Sequence, residues 1–278
     1  AETGSHSNTS SSTSAMSGPQ CTSGTMAAAL MFASTVAGPV SISGGSFAQT
    51  GGVKHALAFF GSITGAGVTI SHATVSALVT AIDVANLQAP LTLNDVVATS
   101  TGFNGMRILT ASAGATIAVS GGSYTGANSG ILVAAVGAGV PVSLDGVKAT
   151  ATTTGREALH VGSSGAVAGP FTIKGGSYTQ ADAASGGIWF EGAVTAAVAI
   201  SDAKVTCGYD GFVFTNLQAA LTLSNVAATT TAASARRSAR RRPPRPPRWR
   251  RTRRRRRRTR RTRRRGATRA RGWRRRRR

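Results

Sequence analysis

Acidic residues are scarce in this chain, with nine Asp and Glu among 278 positions. That scarcity works against any chemistry needing converging carboxylates. Glycosidases use two carboxyl groups about 5–9.5 Å apart, and calcium loops gather several acids in one short stretch. No three acids fall in one stretch here, and His55, His72 and His160 are scattered, so no metal site and no cofactor are expected. Sustained helical periodicity is also missing, which excludes a helical bundle. The apolar stretch 26–33 is too short to span a membrane. It also lacks the basic flank of a signal peptide.

Positive charge is abundant but confined. Residues 1–235 hold Lys54, Arg107, Lys148, Arg156, Lys174 and Lys204 against all nine acids, a net of −3. Residues 236–278 hold 27 Arg and no acid. Such a run, if genuine, binds nucleic acid or another anionic polymer in a salt-dependent way, with Trp249 and Trp273 adding stacking. A disordered, self-repelling tail is the plainer expectation. Its composition fits out-of-frame translation better: there is no Lys and no aliphatic residue larger than Ala. Residues 1–20 are Ser/Thr-rich low complexity and read as a disordered linker with a sequon at Asn8.

Between these ends the chain repeats. An apolar–small–apolar triplet returns every 23 to 29 residues: Val40-Ser41-Ile42, Val68-Thr69-Ile70, Leu91-Thr92-Leu93, Ile117-Ala118-Val119, Val142-Ser143-Leu144, Phe171-Thr172-Ile173, Val198-Ala199-Ile200 and Leu221-Thr222-Leu223. A second strand follows 12 to 15 residues later in each unit, from Leu57-Ala58-Phe59 to Phe212-Val213-Phe214. Leu30-Met31-Phe32 looks like the tail of a truncated coil. Period-two alternation points side chains in, out, in. A short strand pair cannot bury its apolar face alone, so the units must stack into one core. A leucine-rich repeat has a similar period but only one strand per unit.

Two residues after each first strand stand Gly44, His72, Asp95, Gly121, Gly146, Gly175, Asp202 and Asn225. These residue types tolerate positive φ best, so the column predicts a left-handed bend stacked coil upon coil. The stretch NLQAPLTLNDVVAT from Asn86 returns from Asn216 as NLQAALTLSNVAAT, identical at 10 of 14 positions and five coils on. The strand due near 235–238 reads Ala-Arg-Arg-Ser instead, so the repeat breaks in mid-coil.

Coil length, paired strands and the bend column together make the chain resemble the right-handed parallel β-helix proteins, the pectin-lyase-like superfold of pectate lyases, phage tailspikes and bacterial adhesins. The resemblance covers Cys21 to Thr231 and carries no catalytic motif. It implies an all-β, right-handed parallel β-helix of about eight coils over residues 21–233, flanked by linker 1–20 and tail 234–278. Cys21 and Cys207 would then lie about seven coils, roughly 34 Å, apart, far beyond the ~7 Å that a disulfide tolerates.

The outward lane of the second strand would hold Asp83 beside Arg107 and His160 beside Trp189, with Glu191 on the same face. As a glycan groove, Trp189 would stack on a sugar while His160 and Glu191 bind its hydroxyls. As an ordinary exposed ladder, Asp83–Arg107 would be a surface ion pair worth under about 1 kcal/mol. For an enzyme, Glu191 with Asp210 is the best acid pair. The outward lane of the first strand (Ser41, Thr69, Thr92, Ala118, Ser143, Thr172, Ala199, Thr222) is flat and hydroxyl-rich, and resembles ice-binding faces interrupted by Asp145 and Lys174. The expectation is a non-enzymatic structural or adhesin-like segment of a larger secreted or cell-surface protein, monomeric and contacting glycan or a surface protein. The alternatives are a carbohydrate-active lyase or glycosidase using the Trp189/Glu191 face, and polyanion binding through the tail.

Overall fold

The computed structural model describes residues 14–23, 28–52, 55–153, 156–181 and 185–231. They form an all-β parallel solenoid of about eight coils, with no helix among them. The solenoid belongs to the compact unit Ala1–Ala235; the second unit, Arg236–Arg278, lies outside the described residues, so the reading of the tail 234–278 is not addressed. Asn8 and most of the stretch 1–20 lie outside them too.

Each coil contributes three strands rather than two. The triplet strands, such as Val40–Ser43 and Phe171–Lys174, stack in a nine-stranded first sheet. The strands read second in sequence, such as Leu57–Ile63 and Ile188–Val194, form an eight-stranded third sheet. Between them lies a nine-stranded second sheet built from Ser46–Gln49, Thr74–Ala77, Val97–Ser100, Ser123–Gly126, Lys148–Ala151, Ser177–Gln180, Lys204–Cys207, Ala227–Thr230 and, first, Gln20–Ser23. The boundary expected at residue 20 also moves. Ser14–Ser17 and Gln20–Ser23 pair in register with the first and second sheets, so Leu30–Phe32 closes a full coil, not a truncated one.

Every lane follows from register. Ile42, Ile70, Leu93, Val119, Leu144, Ile173 and Ile200 descend the inside of the first sheet, each at most 2 % exposed. Phe32 stacks on Phe59 (centroids 4.7 Å) and Phe190 on Phe214 (4.9 Å) inside the third. Burying each such side chain contributes roughly 1.5–3 kcal/mol, and the β-branched majority suits the pleat. Ile108 and Val133 point in, while Arg107 and Leu132 on the intervening positions are half-exposed. Cys21 and Cys207 are both free and sit on strands seven steps apart in the second sheet.

The bend between the first and second sheets is left-handed at all eight positions of the column, with φ from 50° at Asp95 and Asn225 to 67° at Gly44. Side chains there tie successive rungs: Asn225 Nδ2 donates to Asp202 Oδ1 at 2.7 Å. The next position is an apolar residue, buried at Ala73, Val96, Val147 and Ala203 and half-buried at Val226, or a second left-handed glycine, as Gly122 (φ 76°) and Gly176 (φ 83°) are. A Cβ on Gly122 would overlap the Val96 carbonyl oxygen, whereas one on Gly146 meets nothing within 4 Å. Gly146→Ala should therefore cost only the left-handed strain, about 1–2 kcal/mol, and Gly122→Ala clearly more; urea unfolding of the two variants measures the difference.

Inside the second sheet, Tyr124 and Tyr178 are fully buried and separated by Ala149 in register. Neither hydroxyl has a hydrogen-bond partner among the described residues. Burial first, then the charges of Asp95 and Asp145 respectively, push both phenols above their usual range. An unpaired buried hydroxyl costs about 1–3 kcal/mol. Tyr124→Phe and Tyr178→Phe should each stabilise the fold, by about 1 kcal/mol, read as a higher unfolding midpoint in urea.

Candidate functional site

The outer lane of the third sheet runs Met31, Ala58, Asp83, Arg107, Leu132, His160, Trp189, Val213, each aligned with the next. It is not the open ladder that alternation implies. Ala58 is fully buried, Asp83 is 1 % exposed and His160 9 %. The segments that lead into the strands contribute contacts on this face: His55 approaches Asp83 at 3.4 Å, and Glu157 approaches His160 at 3.4 Å. Backbone accounting explains why these segments stay close, since Ala56, Leu57 and Leu159 N–H groups all bond to neighbouring coils.

At one end, Arg107 grips Asp83 with two hydrogen bonds, Nε to Oδ1 at 2.8 Å and Nη2 to Oδ2 at 2.7 Å. His55 packs edge-on against Phe60 beside them. The hydrogen bond with Asp83 raises Arg107 above its already high range, against the opposing effect of burial. The pair is thus a bidentate, partly desolvated clamp rather than the surface ion pair that an exposed ladder would give. Such pairs contribute little over an apolar replacement, but losing one partner strands a buried charge.

At the other end, His160 lies flat on Trp189, with centroids 5.0 Å apart and rings 1° from parallel. Its Nε2 is 2.8 Å from Glu191 Oε2, and its Nδ1 faces Glu157 Oε2. Trp189 Nε1 donates to Thr215 Oγ1 at 3.0 Å. Burial raises Glu157 above the ordinary carboxylate range, partly offset by His160. Just past His160 the backbones of neighbouring coils come close: a Cβ at Gly162 would lie 2.8 Å from the Gly192 nitrogen.

Of the sequence-derived site residues, Asp83 meets Arg107, and His160 meets both Trp189 and Glu191. The two groups stay apart, with Leu132 between them in the lane. Glu191 is hydrogen-bonded to His160, while Asp210 is exposed and its backbone carbonyl accepts the Gly187 N–H. The sugar-stacking role of Trp189 also meets an obstacle, because one face covers His160 and the next rung, Val213, stands on the other side. Glu157 was missed. Its only signal is the Glu-x-x-His spacing to His160, which has no fixed meaning outside a helix.

A second omission is the outer rank of the second sheet. Thr99, Thr125, Thr150, Thr179, Thr206 and Thr229 occupy six successive rungs in register. All six are exposed or half-exposed. No three His, Cys, Asp or Glu side chains among the described residues converge as metal ligands, and no helix there is long and apolar enough to cross a membrane.

Comparison of the chain with family models, curated proteins and solved structures finds no match.

Arg107→Met should cost about 3–5 kcal/mol by leaving Asp83 charged and buried, whereas Asp83→Leu with Arg107→Met should recover most of that loss. Urea unfolding of the single and double variants decides it, and an equal loss in both would refute the clamp.

Proposed function

We propose that this chain is a non-enzymatic β-solenoid of the secreted or cell-surface kind, a structural or adhesin-like stalk making weak, repeated contacts with glycan or a protein partner. One observation carries the reading: on the third sheet the side chains with chemical potential are consumed by one another, while the outer ranks of the first two sheets repeat small hydroxyl side chains rung after rung. Repetition suits an extended contact surface better than a single reaction centre. The resemblance to right-handed parallel β-helix proteins supports the architecture, and architecture alone does not give function.

The clamp on His160 favours a second reading. An imidazole held between a buried and a half-exposed carboxyl is a plausible acid–base pair for a polysaccharide lyase or glycosidase. The imidazole, however, occupies the space between those carboxyls.

Incubation with a panel of polysaccharides separates the two. A stalk binds without releasing reducing or unsaturated ends, and Thr150→Lys with Thr179→Lys weakens that binding roughly tenfold, or about 1.4 kcal/mol. Release of new ends that Glu191→Gln abolishes would establish the enzyme instead.

A further inference from the structure

The last described coil is apolar and uncovered, and an earlier coil of the same molecule shows what covers such a surface. The stretch from Asn86 and its copy from Asn216 place the same residue types on the same lanes. In the first copy Leu87, Leu91, Leu93, Val96 and Ala98 are all fully buried. In the second, Leu217 is 38 % and Leu223 49 % exposed, Leu221 and Val226 are half-buried, and Ala228 is exposed. Side-chain identity does not account for the difference. The first copy has a further coil laid on it in register, Ile117 on Leu91, Val119 on Leu93 and Tyr124 on Ala98, and the second has none among the described residues.

The opposite end carries a matching surface. On the first coil Met16 and Cys21 are half-buried, while Ile42 and Phe47, next in the same lanes, are fully buried. That coil also resembles the one that covers the first copy. Ala15-Met16-Ser17-Gly18 occupies the strand and corner positions held there by Ala118-Val119-Ser120-Gly121. Thr22 stands where Thr125 does. Both corner glycines have φ 62°. An open row of strands is a template for pairing with another chain. Terminal repeats of solenoids ordinarily block it with a polar outer face, which the last described coil lacks.

We propose that the chain stacks end to end with a second copy, the last coil of one protomer covered by the first coil of the next. Leu221–Ser224 then pairs in parallel with the partner's Ser14–Ser17, and Ala227–Thr230 with the partner's Gln20–Ser23. Leu223 lies against the partner's Met16, and Ala228 against the partner's Cys21. The first and second sheets carry the contact; the third has eight strands to their nine and is one strand short at the junction. The two surfaces differ, so each added protomer leaves one free end and growth is open rather than closed. The 27 Arg of residues 236–278 set copies against one another by charge, so stacking strengthens as salt screens them. End-to-end contact is independent of what the outer lanes bind.

The test is sedimentation velocity of the full chain at about 1 M salt, where the screening length is about 3 Å. The expected mass rises with concentration, through dimer to longer species. Leu223→Asp and Met16→Asp each block one end, and each should be monomeric alone. Mixed, they should form a one-to-one dimer and nothing larger, joined through the one free end that each retains. Leu78→Asp, at a side chain 40 % exposed on an inner coil, should leave stacking intact. Labelling of Cys21 by a thiol reagent should slow as the unsubstituted chain is concentrated and stay constant in Leu223→Asp; Cys207 is fully buried. Monomer at every concentration, a dimer that Met16→Asp keeps on its own, or loss of association in Leu78→Asp would overturn the proposal. Should Met16→Asp fail to fold, the Cys21 record decides, and labelling indifferent to concentration would refute stacking.

Discussion

Parallel in-register stacking is the constraint on which everything else in this molecule depends. Each residue of a coil has a counterpart directly above and below, at about 4.7–4.9 Å. A side chain is therefore judged against its own kind. Apolar lanes close into ladders such as Phe32 on Phe59, and the left-handed corner must be left-handed in every coil or in none. One backbone geometry, repeated, dictates the core, the corner and the lane in which polar groups meet.

The same constraint explains how much could be read beforehand. The first and third sheets were legible because their inward residues are large and alternate over three positions, as in Val68-Thr69-Ile70. The corner was legible because only four residue types fill it. The second sheet was not, for two reasons. Its strands begin directly after the corner, and its inward lane includes small residues such as Ala98 and Ala149, which give no apolar signal. The pairing of Asp83 with Arg107 and of His160 with Trp189 followed from coil length alone. What coil length could not supply was the third dimension of that lane. Whether a connecting segment lies against the strand it precedes depends on turn geometry, and turn geometry brings Glu157 to His160 and His55 to Asp83.

That difference changes the physics of the lane more than its membership. On an open ladder Asp83 and Arg107 would be screened by water, and His160 would be an exposed ring. With Asp83 and Glu157 withdrawn from water, each of these two carboxyls must be matched to a partner, Arg107 and His160 respectively. A chain so poor in acids places four of them, Asp83, Glu157, Glu191 and Asp95, in contact with histidine or arginine. Scarcity of charge and its concentration in pairs are two aspects of one arrangement, since a thin β-solenoid offers little surface on which a buried charge can find a partner.

The alternation of Tyr124, Ala149 and Tyr178 bears on how such a molecule can change length. Adjacent rungs accept stacked rings, as Phe32 on Phe59 shows, so the alanine between Tyr124 and Tyr178 is not demanded by ring size. Excising the intervening coil would bring the two rings into contact. Growth or loss of a single coil across this segment is therefore compatible with the packing: the stretch Gly121-Gly122-Ser123-Tyr124-Thr125 returns two coils on as Gly175-Gly176-Ser177-Tyr178-Thr179, and the stretch from Asn86 returns five coils on from Asn216. In-register packing fixes the lane that each copied residue enters and leaves the number of copied coils free.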